Sequence, residues 1–338
     1  MGEGLKGILL VNLGTPDSTS VPDVRKYLKE FLMDKRVIDI PAIPRWLLVN
    51  LIIGPFRAPK SAAEYRKLFT ERGSPLKYYT EDLVQPLQQI LGDNYLVKYA
   101  MRYQSPSLES ELNKMKEVNV SSIHVIPLFP QYASATTGSV IDRVMEITKD
   151  WQIIPELKFT SQFLENDRFL DVIAKNGKKW MENHAYDHYL FSYHGLPERQ
   201  IKKGSVGEQC QLGSCCDTFH EKNQFCYRAQ CFHTTRLVAK KLGLSEDQYT
   251  VCFQSRLGKD PWIKPYTEEV LEELAKSGKK KVLAFSPAFV SDCLETTIEV
   301  GEEYKEKFEE AGGEQWDLVE SLNNDPMWIE ALAEIVKG

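Results

Sequence analysis

The chain has 338 residues, more than one ordinary domain holds, so two lobes are expected. Its apolar fraction of 42% and charged fraction of 27% are typical of a globular protein. A net charge of -6, with no block of basic residues, argues against nucleic acid as a partner. The first residues lead directly into an apolar run without a secretory signal, and the seven cysteines are unevenly spaced. A cytoplasmic protein with reduced or metal-bound thiols is therefore predicted.

Short apolar runs in the first half predict buried parallel strands. They are rich in β-branched and aromatic residues, and they are Gly7 to Leu13, Tyr95 to Met101 and Ser122 to Phe129. Stretches with helical periodicity lie between them, over Tyr79 to Leu91 and Ser107 to Met115. This alternation predicts a doubly wound α/β sheet.

The second half repeats the alternation. Its candidate strands are His188 to Tyr193, Tyr249 to Phe253, Lys281 to Phe285 and Trp316 to Val319. We therefore predict two similar lobes, at residues 1–165 and 166–338, with a C-terminal helix that packs back on the first lobe. Ligands of open α/β sheets bind beyond the carboxyl ends of the strands, so a site in the cleft between the lobes is expected.

Two segments interrupt the alternation. Val37 to Phe56 is strongly apolar, but its charged residues and prolines make it too interrupted to span a bilayer. It is either a core helix or an exposed apolar lip over about 37–60 that touches a membrane surface or an apolar substrate. The second segment, Ile201 to Phe232, is polar and holds five of the seven cysteines.

His194 is the first candidate for chemistry, because it ends a predicted strand at a sharp turn. An imidazole titrates near neutral pH, so it can accept a proton or bind a metal ion. The alternative is a structural histidine bonded to a loop carbonyl.

A row of glutamates is the second candidate. Glu295, Glu299 and Glu303 are spaced four apart on a helix that Ser291 or Asp292 is expected to cap. The row can be a solvated helix face, but it begins at the carboxyl end of a strand, where ligands bind. Carboxylates in single file can bind a cation, pass it on and accept protons.

Several motifs in order together resemble the ferrochelatase family from about residue 6 to the C-terminus. They are Val11 to Pro16, Arg102-Tyr103, Pro130 to Tyr132 with Thr136 to Ser139, Ser192 to Pro197, Phe253 to Arg256, Pro261-Trp262, and Ser291 to Thr296. The resemblance implies two Rossmann-like lobes, each a parallel sheet flanked by helices. It also implies an enzyme that inserts ferrous iron into protoporphyrin IX to form protohaem, the last step of haem biosynthesis. A coproporphyrin ferrochelatase, another tetrapyrrole chelatase, and a tetrapyrrole- or metal-binding protein without turnover are the alternatives.

The resemblance implies a role for each candidate residue. His194 and Glu295 are expected to be catalytic on either side of the macrocycle centre, and with Glu299 and Glu303 they form the expected metal or proton path. Leu13 lies where the family contacts the opposite face of the ring, but a leucine cannot bind iron. The other residues expected to contact the porphyrin are Arg57, Ser74, Arg102, Tyr103, Tyr132, Trp262 and Asp292.

The cysteine segment, residues 201–232, predicts a second metal site. Dense thiols favour an iron–sulfur cluster over zinc or free thiols, and the candidates are Cys210, Cys215, Cys216, Cys226 and Cys231. Ser134 stands where animal-type members have a cluster ligand, so the segment resembles the internal [2Fe–2S] site of some bacterial members. Five cysteines are candidates for the four ligand positions of such a cluster. The apolar segment matches the lip of the family, which suggests contact with the inner membrane; a monomer and a homodimer both stay open.

Overall fold

The chain forms two compact units in the computed structural model, which describes residues 4–207, 209–256, 258 and 260–338. The first unit consists of Met1–Phe129, Ala133–Gln162 and Ile329–Gly338. The second consists of Pro130–Tyr132 and Phe163–Trp328.

Each unit is built on a four-stranded parallel sheet. The strands of the first are β1 (Lys6–Gly14), β2 (Tyr95–Tyr103), β3 (Ser122–Pro127) and β4 (Glu156–Phe159), in the order β2-β1-β3-β4. Those of the second are β5 (His188–His194), β6 (Tyr249–Gln254), β7 (Lys281–Phe285) and β8 (Gln315–Leu318), in the equivalent order β6-β5-β7-β8. The predicted α/β fold class is confirmed. The edge strand β4 was not predicted, because two of its four residues are charged and exposed and the other two are only partly buried.

Helices flank both sheets. In the first unit they are α1 (Val21–Met33), α2 (Ala42–Leu47), α3 (Gly54–Leu68), α4 (Pro75–Asp82), α5 (Val84–Leu91), α6 (Leu108–Glu117) and α7 (Ser139–Thr148). The remaining α-helices are α8 (Asp167–Asn183), α9 (Glu198–Lys203), α10 (Tyr227–Leu242), α11 (Thr267–Lys276), α12 (Tyr304–Glu310) and α13 (Pro326–Lys337). Among the described residues, the π-helices are Leu48–Ile53, Ser134–Gly138 and Leu294–Glu303, and the 3₁₀-helices are Ser214–Cys216, Glu221–Asn223 and Glu246–Gln248. The stretch of helical periodicity over Tyr79 to Leu91 is helical, but it is divided between α4 and α5 at Leu83, three residues before Pro86, which cannot donate a helical hydrogen bond.

The central strands are buried on both faces, which explains their continuous apolar runs. Leu9, Leu10 and Val11 of β1 have no exposed surface, and Leu190 and Phe191 of β5 are equally inaccessible. Helices α6 and α7 cover the first sheet, and α11 and α12 cover the second. Because helices cover the faces of each sheet, polar side chains are expected at the ends of its strands.

The apolar segment is not a core helix. It forms α2, the π-helix Leu48–Ile53 and the start of α3, and six of its large apolar side chains are exposed. We call these six residues the apolar lip: Ile43, Trp46, Leu47, Leu51, Ile52 and Phe56. Across the described ranges, no helix combines the length and the apolar character needed to cross a membrane.

Two buried histidines are held neutral. In the first unit, the His124 Nε2 atom lies 2.8 Å from the Thr160 hydroxyl, and in the second the His188 Nε2 atom lies 2.9 Å from the Thr250 hydroxyl. Burial, with a smaller effect of Lys158, lowers the pKa of His124 to about 4. Burial, with a smaller effect of Lys279, lowers the pKa of His188 to about 4.

Stability is therefore expected to fall as the pH falls from about 6.5 towards about 4. Across this range the unfolded chain takes up protons on both histidines, whereas the folded chain does not until the lower end. Urea unfolding at about pH 7 and about pH 5 should show a smaller loss of stability for His124→Gln and His188→Gln than for the wild type. His184→Gln, at an exposed position, should behave like the wild type. An unchanged loss in both buried variants would contradict this prediction.

Candidate active site

His194 is the last residue of β5 and is half-buried. Its Nδ1 atom lies 2.7 Å from the Gly195 carbonyl oxygen, and because a carbonyl only accepts, Nδ1 carries the proton in this arrangement. The neutral ring therefore presents an unprotonated Nε2. Nδ1 thus makes the bond to a loop carbonyl that the structural alternative expects. Nε2 remains available to accept a proton or bind a metal ion.

The residues around His194 fix its position. The Tyr227 hydroxyl donates to the His194 backbone carbonyl at 2.9 Å, and the Trp262 ring centroid lies 6.3 Å from the imidazole centroid. A side chain at Gly195 would come within 2.8 Å of the Gln254 carbonyl oxygen and 3.1 Å of the Trp262 ring, so only glycine fits there. The Trp262 Nε1 atom is buried and has no hydrogen-bond partner within the described residues, which leaves its donor for a ligand or water.

The predicted glutamate helix is a π-helix, Leu294–Glu303, rather than an α-helix. It is capped at Cys293, not at Ser291 or Asp292 as expected, and the Cys293 amide donates to the Thr296 hydroxyl at 2.9 Å. π-Helical segments recur at functional sites, where the wider turn moves side chains relative to an α-helix.

Glu299 is held by three donors. Its Oε2 atom accepts from the Ser255 hydroxyl at 2.5 Å and from the Gln254 amide at 3.2 Å, and its Oε1 atom accepts from the Tyr304 hydroxyl at 2.9 Å. Burial, together with the Glu299 carboxylate, raises the pKa of Tyr304, so this hydroxyl remains a donor. Ser255 and Tyr304 were not predicted as site residues. The Phe253 to Arg256 motif was a signal for Ser255, whereas nothing in the sequence indicated Tyr304.

The three glutamates differ in environment. Glu295 is partly buried, its backbone carbonyl accepts from Gln254 at 3.0 Å, and its carboxylate is hydrogen-bonded to the Cys293 thiol. Burial raises the pKa of Cys293 well above its usual value, so it stays a neutral thiol. Glu299 is partly buried and Glu303 is exposed. The row thus consists of two partly buried carboxylates followed by an exposed one.

Asp292, predicted to contact the porphyrin, accepts hydrogen bonds from residues of its own unit. Its Oδ2 atom accepts from the Asn323 side chain at 2.7 Å, and its Oδ1 atom accepts from the Ser321 amide at 3.2 Å. Its carboxylate anchors the loop before the π-helix.

Arg102 and Tyr103 both contact an acid that was not predicted. Arg102 Nη2 and Asp34 Oδ2 are 2.6 Å apart, and the Tyr103 hydroxyl donates to the same oxygen at 2.9 Å. Burial favours the protonated acid, but hydrogen bonds led by that from Ser139, together with Arg102, outweigh it and lower the pKa of Asp34. Arg102 is thus already paired with a carboxylate.

The other residues predicted to contact the porphyrin differ in exposure and in hydrogen bonding. Arg57 is exposed on α3, and Leu13 is partly buried near the end of β1. Ser74 precedes α4, and its hydroxyl is buried without a hydrogen-bond partner among residues that the structure describes. The Tyr132 amide donates to the Gln230 side chain at 2.6 Å, and the Tyr132 ring packs edge-on against Phe225.

Two of the clustered thiols are in direct contact, and three more lie in the same segment. The Cys215 and Cys216 sulfurs are 3.9 Å apart, and the proximity of Cys226 and then burial raise the pKa of Cys216, while burial and then the neighbouring thiols raise the pKa of Cys210. The hydrogen bond from Cys216 lowers the pKa of Cys226. Cys231 lies on α10, where its buried thiol contacts Tyr227. In the described part of the chain, no three His, Cys, Asp or Glu side chains already form a group that could hold a metal ion.

Comparison with known proteins decides the family. A family model described as Ferrochelatase matches residues 5–338. The chain belongs to the ferrochelatase family. It is 46% identical over 331 residues to the ferrochelatase of Legionella pneumophila (strain Lens), covering 98% of both chains. It is 43% identical over 336 residues to that of Coxiella burnetii (strain Dugway 5J108-111), covering 98% of this chain and 93% of the other.

Solved structures support the fold at much lower identity. SirB from Bacillus subtilis with Fe3+ superposes with a TM-score of 0.52 at 10% identity, covering 98% of this chain and 94% of that chain. The sirohydrochlorin chelatase SirB from Bacillus subtilis subspecies spizizenii, in complex with cobalt, gives a TM-score of 0.50 at 11% identity, with the same coverage. The chelatase fold is thus confirmed. Membership of the ferrochelatase family confirms an enzyme of haem biosynthesis that inserts ferrous iron into a porphyrin.

Proposed function

We propose that the chain inserts ferrous iron into protoporphyrin IX to form protohaem, with His194 as proton acceptor and the glutamates as iron ligands. The observation that carries this proposal is the bond between His194 Nδ1 and the Gly195 carbonyl, which leaves Nε2 as an acceptor. Insertion replaces two pyrrole protons by the metal, so a base that works near neutral pH must be present.

The glutamate row supplies the second requirement, a place for the metal before insertion. Ferrous iron accepts oxygen and imidazole ligands. Glu303 is exposed and so can contact the hydrated ion, Glu299 accepts hydrogen bonds from three donors, and Glu295 is partly buried. We assign the ion a route from Glu303 to Glu295, and we assign His194 and Glu295 to the insertion step.

Carboxylate recognition bears on the choice of porphyrin. Ser74 offers a buried hydroxyl without a described partner, so it is the best placed of the predicted carboxylate contacts. Arg102 would have to share its guanidinium with Asp34. Coproporphyrin carries more carboxylates than protoporphyrin and would need more such contacts. This difference favours protoporphyrin over the coproporphyrin alternative.

We further propose that Cys210, Cys215, Cys216 and Cys226 hold a [2Fe–2S] cluster, although these described thiols do not already form a metal-binding group. The Cys215 and Cys216 sulfurs are 3.9 Å apart, and neighbouring thiols of the set shift one another's pKa, whereas Cys231 interacts with Tyr227. A set of four thiolates is the usual ligand set of such a cluster, and the thiols would close around it on binding. When bound, the cluster would supply one-electron redox chemistry.

The apolar lip fits a peripheral contact with the inner membrane on its cytoplasmic side. Ile43 and Phe56 are 75% and 74% exposed, and Trp46 is half exposed. Exposed apolar side chains of this size lower their free energy by entering the boundary between headgroups and acyl chains. The exposed cations Arg57 and Lys60 next to the lip would add attraction to anionic lipids.

His194→Ala and Glu295→Gln should each lower the rate of iron insertion by about 100-fold or more, because each removes a group that acts on the reacting centre. Glu302→Gln is the matched control: it is exposed in the same π-helix but lies off the row, and it should keep the wild-type rate. The rates are measured anaerobically with ferrous iron and protoporphyrin, and circular dichroism checks the fold. Near-wild-type rates in both folded variants would refute the assignment.

Anaerobically purified protein should show the visible absorption of a [2Fe–2S] cluster and contain equal amounts of iron and sulfide. Cys226→Ser should lose both, and Cys252→Ser, which removes a buried thiol of β6 outside the segment, should keep them. A colourless protein with stoichiometric zinc would contradict the cluster.

Vesicles of anionic lipid should sediment the wild-type protein but not a Trp46→Ser/Phe56→Ser variant, which loses two exposed apolar anchors. Val118→Ser, at an exposed apolar position outside the lip, is the control. Equal sedimentation of all three proteins would contradict membrane contact through the lip, as would a wild-type dimer that binds no vesicles and dissociates in the double variant.

A further inference from the structure

Phe225, in the cysteine segment, exposes a large aromatic side chain. It is 51% exposed, and outside the apolar lip it is the one exposed phenylalanine or tryptophan in the described ranges. Its ring packs edge-on against the Tyr132 ring, with 5.6 Å between the ring centroids and an angle of 73° between the ring planes. An edge-on pair leaves ring surface open, so Phe225 can contact a second partner.

Hydrogen bonds hold the two rings of this pair together. The fully buried Gln230 side chain accepts from the Tyr132 amide at 2.6 Å. The same side chain donates to the carbonyl of Gln224, which precedes Phe225 in the chain. One buried amide thus fixes the backbone on both sides of the aromatic pair, and the exposed ring of Phe225 is held in place before any ligand binds.

The first turn of α10 connects this pair with His194. Gln230 binds the Tyr132 backbone, and the Tyr227 hydroxyl donates to the His194 backbone carbonyl at 2.9 Å. Tyr227 and Gln230 are three residues apart on the same helix, so their Cβ atoms are about 5–6 Å apart on one helix face. The backbone of His194 and the backbone of Tyr132 are therefore anchored one helical turn apart.

The aromatic side chains of this region suit a flat ligand. The Trp262 ring centroid lies 6.3 Å from the His194 imidazole centroid, and the Tyr132–Phe225 pair is anchored to the same helix turn as His194. A porphyrin is a wide, flat aromatic ring with carboxylates on its rim. Its apolar faces and edges leave water favourably when they pack against aromatic side chains.

We propose that Phe225 is a substrate-binding residue, whose exposed ring contacts the porphyrin macrocycle next to Tyr132. This inference rests on the proposed position of the reacting centre at His194. Phe225 has no group that accepts a proton or binds a metal ion, so its contact is the same in the bound substrate and during iron insertion. It therefore contributes to porphyrin affinity and not to the insertion step. This role needs no metal in the cysteine segment.

The test is binding of protoporphyrin IX to the full chain without iron, followed by the fluorescence of the porphyrin. Phe225→Ala should raise the Kd about fivefold or more, in line with the loss of one aromatic contact. Phe225→Tyr keeps the ring and should stay within about twofold of the wild type. Turnover of Phe225→Ala with ferrous iron should show the same rise in KM with an unchanged kcat.

Phe219→Ala is the matched control. Phe219 is a second aromatic residue of the cysteine segment, but its ring is stacked on His233, with 4.4 Å between the centroids. Its loss should leave the Kd for the porphyrin unchanged. A Tyr132→Ala background separates direct contact from mere support of the Tyr132 ring. In that background Phe225→Ala should still raise the Kd about threefold or more, because the two rings contact the porphyrin separately.

An unchanged Kd in Phe225→Ala would overturn the inference. An equal rise in Phe219→Ala would indicate general loosening of the segment and would overturn it as well, as would the loss of the Phe225→Ala effect in the Tyr132→Ala background. Binding is measured without iron, so it does not depend on turnover. A chain that shows the expected Kd values but forms no haem refutes the proposed function and leaves this contact in place.

Discussion

One buried amide, Gln254, connects the strand that ends in His194 with the helix that carries the glutamates. It is paired with His194 in the β5–β6 register, and its side-chain oxygen accepts from the Ser192 hydroxyl at 2.6 Å. Its side-chain nitrogen donates to the Glu295 carbonyl and to the Glu299 carboxylate. A buried amide must satisfy its donors and its acceptor, so this side chain has little freedom. Gln254 thus links the strand of the base to the glutamate helix, in addition to the contacts of Tyr227 with His194 and of Ser255 and Tyr304 with Glu299.

The two units repeat one architecture with different chemistry at equivalent places. In each, the residue after the second strand in chain order has a left-handed backbone: Gln104 with φ 69° and Ser255 with φ 64°. Such a conformation costs about 1–3 kcal/mol in a non-glycine residue. Each residue donates to a carboxylate, Gln104 to Glu30 and Ser255 to Glu299, and a hydrogen bond to a charged group offsets a cost of that size.

The fold could be predicted from the sequence to a large extent, because buried parallel strands have an apolar signature that needs no knowledge of distant contacts. Strand ends located His194 and the glutamate row for the same reason. The π-helix could not be predicted, since a four-residue spacing suits an α-helix as well. The pairing of Arg102 with Asp34 could not be predicted either, because the two residues are 68 positions apart in the sequence and only the folded chain brings them together.

The central claim is that this chain makes protohaem by adding ferrous iron to protoporphyrin. Its most direct test is anaerobic incubation of the wild-type protein with ferrous iron and protoporphyrin IX, with a parallel sample that contains coproporphyrin, while the absorption spectrum is recorded. The account predicts a protohaem spectrum that grows through many turnovers per chain, faster than the product of the coproporphyrin sample. Porphyrin that binds but stays metal-free, or turnover with coproporphyrin alone, would contradict it.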